Sequence, residues 1–205
     1  MKKSEIVYRE ILINVLNKKT LLTQLELSKK CNISLGYTNR VINQLAQMHA
    51  LQIMNRGFKI IDANRILMQW AVIRKINNEA KPFSIDLSTE ELEKIVPSIA
   101  IFTAFSAWKF LKNKVPIDYR EVYVYVNEKH KHFFDLWLNK QKLNKNKIPN
   151  LYVIYSKDDH LFKNSKNNIA PLPQIAVDIY SISNLGSKYF FNEIINEYKE
   201  FSLEV

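Results

Sequence analysis

The chain has 205 residues, a net charge of +10 and 47% hydrophobic residues, so it is long and apolar enough to build a core, and disorder is excluded. A single cysteine excludes a disulfide framework and a multi-cysteine zinc site, and three glycines are too few for a P-loop or a dinucleotide-binding fingerprint. The sequence has no apolar run of about eighteen residues and no signal-peptide pattern, so we expect a cytoplasmic protein with no membrane partner.

The positive charge is concentrated in the first third of the sequence. Residues 1–62 hold ten Lys/Arg and four Asp/Glu, a net charge of +6, whereas residues 63–205 hold twenty and sixteen, a net charge of +4. A local basic excess is expected of a domain that meets phosphate groups. A soluble basic protein with solvated lysines has the same composition, so charge alone does not decide between the two.

Two helices are predicted at the start of the chain. Apolar residues recur at helical spacing over 4–17. The second helix covers 23–30, where Thr23 and Glu26 have the spacing of a capping box. Between the two helices, residues 21–22 are expected to be extended and to join a sheet that forms later in the chain.

A third helix is predicted to follow Ser34, a good N-cap residue, after a short turn over 31–33. The order of helix, short turn and capped helix is that of a helix-turn-helix. An ordinary amphipathic helix with a solvated polar face has the same periodicity. The apolar stripe contains Thr38, Val41, Ile42, Leu45 and Met48, and the opposite face contains Gly36, Tyr37, Asn39, Arg40 and Asn43.

A hairpin is predicted over 51–61, because two apolar strands flank the turn sequence Asn55-Arg56-Gly57. In this position the hairpin is a wing, with Arg56 and Lys59 placed for the DNA backbone or minor groove. Together, the helices and the hairpin predict a winged helix-turn-helix DNA-binding domain over 1–62.

The polar face of the third helix is predicted to contact double-stranded DNA. An asparagine can pair bidentately with adenine and an arginine with guanine. The hydroxyls of Thr23 and Ser34 are predicted to contact phosphates. Each residue has the alternative of being only a solvated polar group, and Tyr37 has the further alternative of turning into the core. The predicted DNA-binding residues are Thr23, Ser34, Gly36, Tyr37, Asn39, Arg40, Asn43, Arg56 and Lys59.

The remaining sequence predicts a linking region and a second domain. A helix is predicted after Asp62, its candidate N-cap. Together with the residues that follow, it is assigned to a linker over 63–82. The helix carries Trp70, a large apolar group that needs a partner surface, and a homodimer contact is one such surface. Strands and helices alternate over 83–205, which predicts a mixed α/β C-terminal domain and an α+β fold class overall. Strands are predicted at 83–87, 122–126 and 151–155, and helices at 89–96, 99–111, 128–138, 174–183 and 187–198.

Neither a catalytic nor a metal-binding constellation emerges from the sequence. His130 and His132 fall on different faces of a helix, which does not suit a shared metal. Asp158-Asp159-His160 is predicted to form a turn. We therefore expect no enzymatic activity, no cofactor and no metal. The lysine-rich segment 140–147 has two interpretations, a solvated loop or a second patch for phosphates or an acidic partner.

Several apolar segments resemble the AbiEi-type antitoxins of type IV toxin–antitoxin systems. The similar segments are Ile101–Trp108, Val122–Val126, Leu172–Tyr180 and Asn184–Lys188. In that family, the last segments contain a proline, a Leu-Asp-Leu-like helix and a Gly-Arg turn. Val177-Asp178-Ile179 matches the second feature, and Gly186-Ser187-Lys188 departs from the third.

This resemblance implies a repressor of its own promoter and a second domain that counters a nucleotidyltransferase-like toxin. A different regulator remains open as an alternative. In that alternative, the C-terminal domain holds a small molecule in a pocket walled by Phe105, Trp108, Tyr123 and Tyr125. An enzyme with an attached DNA-binding domain is disfavoured, because no catalytic constellation is present.

Overall fold

The computed structural model describes residues 2–144, 146–182 and 184–199. The fold belongs to the α+β class and has two separate sheets. Contacts within the chain divide it into two compact units. Among the described residues, the first unit contains those up to Arg74 together with 192–199, and the second runs from Lys75 to Phe191. Among the described helices, none combines the length and the apolar character that crossing a bilayer requires.

The first unit contains four helices and a small antiparallel sheet. Its strands have the order β1-β3-β2, so the short extended segment pairs with the hairpin as predicted. Its core contains Thr38, Val41, Ile42 and Leu45 of the predicted apolar stripe together with Phe58 from the hairpin, whereas Met48, the last residue predicted for the stripe, follows the helix and is half-buried. The elements are α1 (Lys3–Leu16), β1 (Leu21–Leu22), α2 (Gln24–Cys31), α3 (Leu35–Gln47), β2 (Leu51–Met54), β3 (Gly57–Ile60) and α4 (Ala63–Ile73).

The helix assigned to the linker, α4, lies within the first unit and packs on α1. Trp70 is fully buried, as are Ile66 and Leu67 on the same helix. The N-terminal segment of this unit therefore ends at Arg74, whereas the predicted DNA-binding domain ended at Asp62. The apolar pattern of this segment indicated a helix in need of a partner, but it did not specify which neighbour would cover it.

Buried charges and an indole N–H meet between α1 and α4. Glu5 is only 2% exposed, and its Oε2 accepts a hydrogen bond of 3.0 Å from Trp70 Nε1. Arg74 Nη1 lies 3.7 Å from the same oxygen, and the Arg9 guanidinium lies 5.9 Å from the centre of the Trp70 ring. The other carboxylate oxygen, Oε1, accepts the Lys2 backbone N–H at 2.8 Å. Glu5 thus joins the start of α1 to the end of α4.

The second unit contains a mixed sheet with the order β4-β7-β6-β5. Strands β6 and β7 are parallel and are joined through α7, while the other pairs are antiparallel. The elements are β4 (Lys81–Phe83), α5 (Thr89–Ile95), β5 (Ala100–Thr103), α6 (Ala104–Lys112), β6 (Val122–Asn127), α7 (Lys131–Asn139), β7 (Leu151–Ser156), α8 (Asp159–Asn164), α9 (Leu172–Ile182) and the part of α10 (Leu185–Lys199) up to Phe191, with short 3-10 turns at Ile76–Asn78 and Glu128–His130.

The predicted helix over 99–111 is wrong in its first part. Ala100–Thr103 is a buried strand that pairs with β6, and the chain then turns sharply into α6 at Ala104, which has φ of 52°. A continuous apolar run has the same signature in a buried strand and in a buried helix. The strand predicted at 83–87 is also displaced, because β4 covers Lys81–Phe83.

The lysine-rich segment is partly engaged in contacts inside the second unit. Lys142 and Lys147 both form ion pairs with Asp86, and Asp86 N donates to the Lys142 carbonyl at 3.0 Å. Hydrogen bonds from Lys147 and then Lys142 hold the pKa of Asp86 below its usual range. These contacts give two of the lysines a local role, while Lys145 lies outside the described residues.

Candidate nucleic-acid interface

The turn between α2 and α3 is held by local hydrogen bonds. Asn32 adopts the left-handed conformation, with φ of 52° and ψ of 47°, which asparagine tolerates better than most residues. Ile33 N donates to the Ser28 carbonyl at 3.0 Å, and Ser28 Oγ donates to the Ile33 carbonyl at 2.8 Å. These reciprocal bonds define the path by which the chain enters α3.

Both residues predicted to contact phosphates are N-caps. Thr23 Oγ1 accepts the Glu26 N–H at 3.1 Å, and Ser34 Oγ accepts the Tyr37 N–H at 3.4 Å. Each hydroxyl keeps its own hydrogen for an external acceptor such as a phosphate oxygen. The carboxylate of Glu26 pairs with Lys19 and Lys30, at 2.5 and 3.5 Å.

The polar side of α3 faces solvent because the opposite side is buried in the first unit. Thr38, Val41 and Leu45 are at most 2% exposed, and they set the rotation of the helix. Tyr37 is half-buried at the edge of the polar side, so it neither enters the core nor stands free. The exposed residues of this side, which we call the α3 face, are Gly36, Asn39, Arg40 and Asn43.

Two side chains of the α3 face are held by neighbours. The Arg40 guanidinium lies 4.6 Å from the centre of the Tyr37 ring, within the range of a cation–π contact. Gln24 Nε2, at the start of α2, donates to Asn39 Oδ1 at 3.4 Å. Each contact reduces the number of orientations that the side chain samples before it meets a ligand. Gln24 was absent from the predicted set, since no local pattern indicates a bond to a residue fifteen positions later.

The hairpin carries the two remaining predicted residues. Arg56 lies in the exposed turn, and Lys59 is an exposed residue of β3, paired in register with Leu21 and Gln52. Gly57 has φ of 122°, and a Cβ there would lie 2.3 Å from the Leu22 carbonyl oxygen. Only glycine therefore allows the hairpin to approach β1 this closely.

The sequence that forms α3 and the hairpin contains no acidic residue. No Asp or Glu occurs between Glu26 and Asp62, whereas the same stretch contains five basic residues. Asp62 caps α4 through a 2.9 Å bond from Arg65 N. Within the part of the chain that the structure describes, neither Arg56 nor Lys59 forms an ion pair. The five basic residues are Lys29, Lys30, Arg40, Arg56 and Lys59.

No protein family matches the chain, and neither the curated proteins nor the solved structures contain a similar one. Among the described residues, no group of three or more His, Cys, Asp or Glu side chains is arranged to hold a metal ion.

The aromatic residues proposed to wall a pocket in the second unit are separated by the fold. Trp108, Tyr123 and Tyr125 are at most 2% exposed and belong to the core. Tyr125 Oη donates to the buried Asp178 carboxylate at 2.8 Å. Of the four, only Phe105 lines the open pocket bordered by Ile117–Glu121 and the start of α10, so these four residues do not form one wall of that pocket.

Gln24 holds the amide of Asn39, so any DNA contact that Asn39 makes is expected to be stronger with Gln24 present. Replacing it with alanine removes the bond to Asn39 Oδ1, and we expect the affinity for DNA to fall by about 0.5–1.5 kcal/mol, the cost of ordering one more side chain on binding. Affinities of Gln24→Ala, Asn39→Ala and the double variant measure the coupling. Gln47→Ala, an exposed glutamine at the end of α3, is the matched control. Additive losses would contradict the coupling.

Proposed function

We propose that the first unit is a winged helix-turn-helix and that the protein is a sequence-specific transcriptional regulator that represses its own promoter. The observation that carries the proposal is the α3 face, where amide and guanidinium groups project from a capped helix in an acid-free stretch. In this arrangement α3 enters the DNA major groove, and the hairpin formed by β2 and β3 is the wing.

The chemistry of the α3 face supports base recognition. Asn39 and Asn43 supply donor–acceptor pairs for adenine, and Arg40 supplies a fork of donors for guanine O6 and N7. The contacts from Gln24 and Tyr37 lower the entropy that ordering these side chains costs on binding. The hydroxyls of the two N-caps contribute phosphate contacts that position the helix.

Lys59 in the wing is expected to contact the DNA backbone and to contribute affinity without specificity. Lys59→Ala should weaken binding to all sequences by similar factors and reduce the slope of log K against log salt by about one. Affinities measured at several salt concentrations test this, and Lys163→Ala, which removes an exposed lysine from α8 of the second unit, is the control. A loss confined to the specific operator would contradict the backbone role.

The decisive experiment for DNA recognition is binding of the purified protein to DNA from upstream of its own gene and to scrambled DNA, at two salt concentrations. A preference for the native sequence that persists at the higher salt supports a regulator. Equal, strongly salt-dependent binding to both would contradict it, because phosphate contacts alone behave in that way.

We further propose that the protein is the antitoxin of a type IV pair, with a nucleotidyltransferase-like toxin as its partner. Two of the segments that resemble AbiEi-type antitoxins meet in the core of the second unit. Thr103 Oγ1, at the end of β5, donates to Asp178 Oδ2 on α9 at 2.7 Å, and α6 packs on α9. Co-expression with the neighbouring gene tests this role, and a neighbour that is harmless without the protein would contradict it.

A homodimer, or adjacent copies on one promoter, is the form in which we expect the protein to occupy its operator. Repressors of this kind bind repeated half-sites, so two copies double the number of contacts. Sedimentation of the protein with and without operator DNA measures the stoichiometry, and one copy per operator would contradict this expectation.

A further inference from the structure

The second unit has an open pocket of about 340 Å³ with an aromatic wall. The half-buried Tyr119 presents the aromatic surface of this wall, and its ring is backed by Phe105 and Phe190, which are at most 1% exposed; the three ring centroids are 4.9 to 6.1 Å apart. Tyr119 is anchored from behind, because its hydroxyl donates to the Glu93 carboxylate, which also pairs with Lys109 at 2.8 Å. The wall is therefore a fixed apolar surface of the size that suits a small planar molecule.

The polar side of the pocket has an excess of negative charge. Asp118 and Glu121 border it, and Arg120 is the only cationic residue in its described lining. Within the described part of the chain, none of these three side chains forms an ion pair. Glu121 is half-buried, and this burial raises its pKa above the usual range. A locally acidic pocket is unexpected in a chain with a net charge of +10.

Gly186 keeps one side of this pocket open. It lies in the first turn of α10, where alanine is favoured over glycine by up to about 1 kcal/mol in a helix. A Cβ at this position would lie 3.4 Å from Ile117 Cγ2, which also lines the pocket, and 3.4 Å from Asn184 Oδ1. A methyl group fits at these distances, whereas a longer side chain would extend toward the lining.

We infer that this pocket binds a small aromatic amine in its cationic form. The ring packs against Tyr119, and the ammonium group lies toward Glu121 and Asp118. Aromatic faces attract cations, and an ammonium beside Glu121 supplies the positive partner that this half-buried carboxylate lacks. Arg120 disfavours a second positive charge on the ligand. The inference concerns the second unit alone and does not depend on DNA binding.

The test uses the full-length protein and three probes that share an indole ring and differ in charge. Tryptamine is cationic, tryptophan is zwitterionic, and indole-3-propionate is anionic. Calorimetric titration should give the order tryptamine, tryptophan, indole-3-propionate, with at least about a tenfold difference between the first and the last, as expected for one charge-assisted contact. Undetectable tryptamine binding at millimolar concentration, or equal affinity for the amine and the acid, would overturn the inference.

Two variants identify the site. Glu121→Gln keeps the size of the side chain and removes its charge, so tryptamine affinity should fall by about tenfold while the affinity for indole-3-propionate should not fall. Gly186→Leu should abolish binding of all three probes by filling the pocket, and Gly186→Ala is its matched control. Circular dichroism checks the fold of each variant. Unchanged tryptamine binding by Glu121→Gln, or by a folded Gly186→Leu protein, would show that the probe binds elsewhere and would overturn the assignment.

Discussion

Glu5→Ala is expected to lower the free energy of unfolding of the first unit by about 3–5 kcal/mol, the loss typical of breaking a buried ion pair. The substitution removes the acceptor of the Trp70 N–H and the carboxylate that lies 3.7 Å from Arg74. Both partners are at most 1% exposed, so water cannot replace the lost carboxylate without disturbing the packing. Urea denaturation gives the global loss, and hydrogen exchange of α1 and α4 amides locates it.

Two variants separate the effect of the buried contact from that of removing any glutamate. Glu26→Ala, which breaks ion pairs at the surface of the same unit, should cost at most about 1 kcal/mol. Glu5→Gln keeps an oxygen acceptor for Trp70 and loses only the charge beside Arg74, so its loss should be smaller than that of Glu5→Ala. Similar losses for Glu5→Ala and Glu26→Ala would contradict the role assigned to the buried cluster.

Arg40→Ala is expected to weaken binding to the specific operator by about 1–3 kcal/mol and to relax discrimination at one base pair. Arg40 is exposed and held over the Tyr37 ring, and its guanidinium donors are available to a base edge. Its removal should leave the stability of the first unit nearly unchanged, because the side chain contributes nothing to the core. Competition binding with operators altered at each position identifies the affected base pair.

Arg40→Lys is the matched control for charge. Lysine keeps the positive charge but lacks the planar fork that binds guanine O6 and N7 together, so we expect most of the loss in discrimination to remain. Lys59→Ala is expected to show the opposite pattern, with a similar loss of affinity for all DNA sequences and a smaller dependence of affinity on salt. Equal operator affinity of Arg40→Ala and the unsubstituted protein would refute base recognition by this residue.

The order of helix, turn, helix and hairpin was predictable because each element has a local signal. Ser34 caps α3, Asn32 tolerates the left-handed turn, and Gly57 marks the turn of the hairpin. The side of α3 that faces solvent was also predictable from the 3.6-residue period of its apolar stripe. The bond from Gln24 to Asn39 was not, because it joins two helices whose relative position depends on packing.

The second unit was less predictable, because its central strands are buried on both sides. The run from Ile99 to Leu111 has only Thr103, Ser106 and Lys109 as polar positions, too few to distinguish a two-sided strand from a helix, and the structure divides it at Ala104. The same burial removes three of the four aromatic residues from the predicted pocket wall. The open pocket of the second unit described above is lined mainly by Ile117–Glu121 and by α10, where no sequence motif marks a site.

The sequence by itself determined the elements of the first unit, the polar composition of the α3 face and its basic, acid-free surroundings, since capping, turn chemistry and periodicity act within a few residues. Tertiary structure alone decided that α4 belongs to the first unit and that Glu5 accepts the Trp70 N–H. It also decided that the Asp178 carboxylate accepts hydrogen bonds from the hydroxyls of Thr103 and Tyr125. These contacts join residues at least fifty positions apart, and they depend on how apolar surfaces pack, a property that no local stretch of sequence encodes.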